Sequence, residues 1–145
     1  MKRSLINGIA CAGLLLFSLS ARQAVAQDRD NDRGDDTFYH SREGFYSGDS
    51  WKMHLFDRVR ADLDHVQRVA FAGSDEYRIV RTKEQVAELQ SKMAEGRYDQ
   101  PELEDVIASL GRVVADNRLD SRDRDILSED LSRVRDYRDH HDNWR

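Results

Sequence analysis

The sequence predicts an all-α fold: a small bundle of about four amphipathic helices joined by short capped turns and preceded by a flexible tail. Three observations carry that expectation. Apolar residues after Ser50 recur at alternating steps of three and four, which lines up one face of a helix. No stretch of length alternates apolar and polar residues as a half-buried strand does. Helix-ending and helix-starting residues fall between the apolar stripes, so the breaks are short.

The first helix carries Phe56, Val59, Leu63, Val66 and Ala70, with Trp51 and Leu55 extending the stripe upstream and Gly73 expected to close it. The segment "SDEYRIV" that follows fits either one turn or a short extended piece. A second helix is expected to open at "TKEQ", where Thr82 can cap and Gln85 can reach back. Val86, Leu89 and Met93 form its stripe, and Gly96 ends it. The third starts at "DQPE", with Pro101 in the first turn, where its missing amide proton does no harm. Leu103, Val106, Ile107, Leu110, Val113 and Val114 make the strongest stripe of the chain. The fourth runs from about Arg122 to about His140, with Leu127, Leu131, Val134 and Tyr137 inward. Its outer face alternates in charge, and Glu129 precedes Arg133 at the favourable spacing of four.

Two corners share one pattern. "GRYDQPEL" from Gly96 and "NRLDSRDR" from Asn117 each read Gly or Asn, Arg, a hydrophobic residue, Asp, two residues, then an acid. As helix joints, Gly96 and Asn117 take the left-handed conformation, Tyr98 and Leu119 pack across the corner, and Asp99 and Asp120 cap the next helix. Glu102 and Asp123 then complete the capping box and favour the positive helix start. The pattern also resembles the second half of a calcium-binding EF-hand loop. The first half fails, because the positions that must supply oxygen include Met93 in one copy and Arg112 and Val114 in the other. A joint without an ion is therefore expected. "DRDNDRG" does space Asp28, Asp30 and Asp32 as ligands, but Arg33 stands where the loop needs Gly.

The ends set the compartment. Lys2 and Arg3 precede an uncharged run, and "AVAQ" places Ala24 and Ala26 for a cut after Ala26, so residues 1–26 read as a secretory signal peptide. Residues 27–49 read as an acidic and aromatic tail, 50–141 as the helical domain, and 142–145 as a C-terminal tail. Cys11 leaves with the signal, so the mature chain has no thiol for a disulfide, a nucleophile or a metal site. Three of the 23 basic residues leave as well and none of the 28 acidic ones, taking the formal charge from −5 to −8. Such a balance argues against nucleic-acid binding, and no mature segment approaches the roughly 20 apolar residues of a membrane span. Periplasmic or secreted localisation is expected.

No catalytic site is expected. The chain has no Gly-x-Ser-x-Gly elbow, no His-Glu-x-x-His pair and no glycine-rich phosphate loop, and Glu104 and Asp105 face outward on the third helix. The five histidines are expected to be solvated, and no cofactor or metal is assigned. The remaining reading is an exported, non-enzymatic helical protein that binds another envelope protein or acts like a chaperone; its near-repeats "FYHS" and "FYSG", seven residues apart, make Phe38, Tyr39, Phe45 and Tyr46 either candidate partner contacts or, the favoured reading, anchors that fold back onto the domain. The alternative is a cation-responsive envelope protein using calcium or a transition metal. "RTKEQ" shares Thr82 and Gln85 with the Leu-Thr-x-x-Gln motif of the Spy and CpxP periplasmic chaperones, but Arg81 replaces the Leu and no membership follows.

Overall fold

A computed structural model describes residues 36–47, 50–70 and 73–143. The expected signal segment and its expected cut after Ala26, the aspartates of "DRDNDRG" and residues 144–145 lie outside the described residues. Those described are helical apart from short connections, with no strand among them. The chain divides after Phe45 into two units, each taken by itself.

In the first unit, residues 36–45 form helix α1. Composition had pointed to a flexible stretch there. The seven-residue spacing of "FYHS" and "FYSG" is two helical turns, which sets Phe38 and Phe45 on one face. Ser41 Oγ donates to the Phe38 carbonyl at 2.8 Å inside the helix.

The second unit opens with a 3₁₀ turn, Ser50–His54, and continues as α2, Leu55–Arg68. It then has α3, Gly73–Ala94; α4, Gln100–Asp116; and α5, Ser121–His140, which ends in a second 3₁₀ turn at His141–Asn143. Helices α2 and α3, α3 and α4, α4 and α5, and α5 and α2 pack together, so each of the four has two neighbours. The enclosed core takes Leu55, Val59, Leu63 and Val66 from α2, and Ile79, Val86 and Leu89 from α3. Leu103, Val106, Leu110 and Val113 come from α4, Leu127 and Val134 from α5. Burial of these side chains is the main term holding the unit together.

The boundaries of α3 differ from expectation. Gly73 opens α3 and does not close α2, and "SDEYRIV" forms its first two turns. Thr82 lies in mid-helix, fully buried, where its hydroxyl donates to the Arg78 carbonyl at 2.8 Å and caps nothing. Ile79, Thr82, Val86 and Leu89 follow steps of three and four, so the inward stripe runs straight through Thr82. The supposed cap is a core-facing hydroxyl satisfied by back-bonding.

The two corners are built differently. At the first, Gly96 has φ +76°, its N–H donates to the Met93 carbonyl at 2.9 Å, and the Arg97 N–H donates to the Lys92 carbonyl at 3.0 Å. These two bonds are the Schellman ending of a helix. Asp99 then accepts from the Glu102 N–H at 3.1 Å and starts α4, while Lys92 Nζ donates to Asp99 Oδ2 at 3.0 Å and Glu102 Oε2 at 2.9 Å. At the second, Asn117 is extended at φ −82°, ψ 150°, not left-handed, and buried. Its side chain explains the change: Nδ2 donates to the Asp75 carbonyl at 3.1 Å and Oδ1 accepts from Arg78 Nε at 2.6 Å. Asp120 accepts from the Asp123 N–H at 2.8 Å and starts α5. Arg124, out of place for a hydrophobic staple, donates to the Val114 carbonyl in the last turn of α4 and to the carbonyl of Asn117, just past it.

The Asp99 cap makes a pH prediction. The Glu102 amide, followed by the Lys92 ammonium, holds the Asp99 carboxyl below the usual carboxylate range. A group depressed in the folded state stabilises above its unfolded pKa, and that contribution disappears as pH falls through the folded value. Asp99→Ala should therefore lower the urea midpoint at about pH 7, with the gap to the parent narrowing as pH falls below the ordinary carboxylate range. Asp99→Asn keeps the acceptor and should lose less at neutral pH. A gap that does not change with pH would remove the charge from the account.

Candidate functional site

The acidic corner "DNRLDSRDRD" is not a convergence of carboxylates. Asp116 is exposed, Asp120 caps α5, and Asp123 turns inward beside His65, with Asp123 Oδ1 3.6 Å from His65 Nε2. No group of three His, Cys, Asp or Glu residues able to hold a metal occurs among the described residues. His65 corrects the expectation of solvated histidines: it is only 3% exposed, and its Nδ1 accepts from Arg68 at 2.9 Å. The reason is that α2 is flanked by both α3 and α5, so its buried face is wider than its apolar stripe and takes in Asp62 and His65. Asp62, fully buried, accepts from Arg58 Nε at 2.7 Å. His54 and His140 are exposed, with Asp57 and Asp136 beside them, while His141 is half-buried.

The four candidate aromatic contacts do not form one site. Phe38, Tyr39 and Phe45 belong to the first unit, where the Phe38 and Tyr39 rings meet edge to face at 5.3 Å. Tyr46 belongs to the second and is anchored there. Its hydroxyl donates to Asp130 Oδ1 at 3.1 Å, and its ring lies 5.6 Å from that of Trp51. The Arg133 guanidinium sits over both rings, 3.8 Å from the Tyr46 centroid and 4.5 Å from that of Trp51.

A recess of about 350 Å³ in the second unit has the features of a binding site. Four segments build it: the 3₁₀ turn before α2, the first turn of α2, the α3–α4 corner and the end of α5. Its walls are rings. Tyr98 and His141 stack at 4.0 Å with 12° between planes, and Phe56 meets Tyr137 edge to face at 5.2 Å. Met93 contributes a partly buried thioether. Met53, which also lines the recess, is 78% exposed and the most exposed large hydrophobic residue among those described. Burial, with the carboxylates of Glu104 and Asp142, pushes the Tyr98 phenol above its ordinary range, so it stays a neutral hydrogen-bonding group.

Turn chemistry places these groups. The left-handed Gly96 reverses the chain, and the Asp99 cap fixes the start of α4, so Tyr98 is held between two determined points. Tyr137 and His141 lie one helical turn apart at the end of α5. Sequence reasoning took Tyr98 as a corner staple and Tyr137 as core, and gave Met53 and His141 no role. The usable signal was Met53 itself, a large apolar side chain off the stripe of its helix. No nucleophile, base and orienting acid meet in the recess, whose lining is rings, thioethers and basic side chains. No protein family, curated protein or solved structure matches this chain.

Proposed function

We propose that this protein is an exported, non-enzymatic four-helix bundle that binds another protein of the bacterial cell envelope, in the manner of a chaperone or adaptor. The observation that carries the reading is the exposed Met53 beside a ring-walled recess. Thioethers adapt to irregular apolar surfaces, and aromatic walls supply contact area at little cost in side-chain entropy. Phe38 and Phe45, both half-buried, are proposed as secondary contacts, whereas Tyr39 is buried and is not. The periplasmic or secreted location rests on the signal-like segment, and N-terminal sequencing of the exported chain should begin at Gln27.

A photo-crosslinking amino acid at position 53, introduced in living cells, is expected to trap one reproducible neighbour. The same probe at the exposed Asp105 should not. Equal labelling from both positions, or none from position 53, would remove the recess as a protein-binding site.

A further inference from the structure

We propose that the recess takes an acidic peptide segment presenting one aromatic side chain. This names the ligand class for the protein-binding reading and rests on it. The shape argues for a side chain and not a helix. About 350 Å³ lies near the lower end of the roughly 300–1,000 Å³ of small-ligand sites, and the walls are rings that favour edge-on or offset contact with another ring.

The charge argues for acid beside that ring. None of the residues lining the recess is acidic, while Lys52 and Arg97 both line it; Glu104 and Asp142 act on the Tyr98 ring, so the ligand's carboxylates are assigned to Arg97 and Lys52 and not to the Tyr98 face. Arg97 is 64% exposed and binds Glu95, itself 57% exposed, at 2.5 Å. His141 stands 3.4 Å from the exposed Asp142. The Arg97–Glu95 pair is exposed on both sides and weak, so an incoming carboxylate can displace Glu95 and take the forked guanidinium contact. Met53 can then fold over the bound ring, since sulfur contacts aromatic edges favourably.

The test is calorimetric titration of the full chain with capped pentapeptides. Glu-Asp-Phe-Asp-Glu is expected to bind, and the same peptide with Ala for Phe, or with Lys for every acid, to bind at least about tenfold more weakly. Arg97→Glu should weaken the first peptide by roughly tenfold while its melting temperature and circular dichroism stay those of the parent. Rising salt should reduce affinity as well. Equal binding of the lysine peptide overturns the charge assignment, and equal binding of the alanine peptide overturns the ring assignment. N-acetylphenylalanine binding as tightly as the pentapeptide shows a small-carboxylate site and overturns the peptide. If no peptide binds but the position-53 crosslink persists, only the ligand class fails. If the crosslink is lost too, the protein-binding reading fails with it.

Discussion

Truncating Leu110 to alanine is expected to reduce the unfolding free energy by about 3 to 5 kcal/mol, a large share of the roughly 5–15 kcal/mol typical of a whole domain. Leu110 is fully buried on α4, the helix packed between α3 and α5, with Val106 and Val113 beside it on the same face. The loss combines lost burial with the cavity left behind, and the cavity persists where neighbours cannot move in. Urea denaturation followed by circular dichroism should show one transition with a much lower midpoint. Asp105→Ala, on the exposed face of the same helix, should change stability by no more than about 0.5 kcal/mol. A loss below about 1 kcal/mol at Leu110 would mean that α4 is not the packed centre of the unit.

How much of this was legible in the sequence depends on whether local and long-range signals agree. In α4 they do. Asp99, Pro101 and the stripe from Leu103 to Val113 all mark the same helix, and each residue's role is set by neighbours within two turns. In the first half of α3 they do not. Asp75, Arg78 and Thr82 interrupt the apolar pattern, and only Ile79 marks the inward face. Their satisfaction comes from far along the chain: Asp75 Oδ2 accepts from the Arg118 N–H at 3.1 Å, and Arg78 reaches Asn117. No local period encodes such a bond, so the polar residues read as a connection.

His65 failed for a related reason. Periodicity reports which residues are apolar, whereas burial also depends on how many neighbours flank a helix. With α3 and α5 on both sides, α2 hides Asp62 and His65 at the margin of its stripe. The recess was hidden in another way. Tyr98 and His141 are ordinary where they stand in sequence, Met53 shows only as an apolar residue off the stripe, and the closing of the four helices brings the three to one recess. The α1 helix shows the converse. Within the expected tail, residues 36–45 are helical, and the Phe-Tyr repeat at a spacing of seven, two turns of helix, is the signal for it that composition does not carry.

Asn117 gives the sharpest test of that distinction, because its two readings predict opposite outcomes for one substitution. If the residue ended α4 in a left-handed conformation, glycine would be neutral or stabilising. In the extended conformation it adopts, glycine gains nothing from its freedom and removes a side chain that is only 3% exposed. The losses are the bond from Nδ2 to the Asp75 carbonyl and the bond from the Arg78 guanidinium to Oδ1, which together tie the start of α3 to the α4–α5 corner. One is a neutral buried bond and the other is charge-assisted, so Asn117→Gly and Asn117→Ala should each destabilise by about 2 to 4 kcal/mol. Arg78 retains Asp75 Oδ1 at 2.7 Å and the Asp116 carbonyl at 3.3 Å, which keeps the loss from growing further. Asn117→Asp should fall between, since it keeps an acceptor for Arg78 and loses only the donor to Asp75. Hydrogen exchange should locate the damage, with amides in the first turns of α3 opening faster while those of the α4 centre follow global stability. A glycine variant as stable as the parent would show that backbone conformation alone holds this corner and that the buried bonds to α3 contribute nothing net.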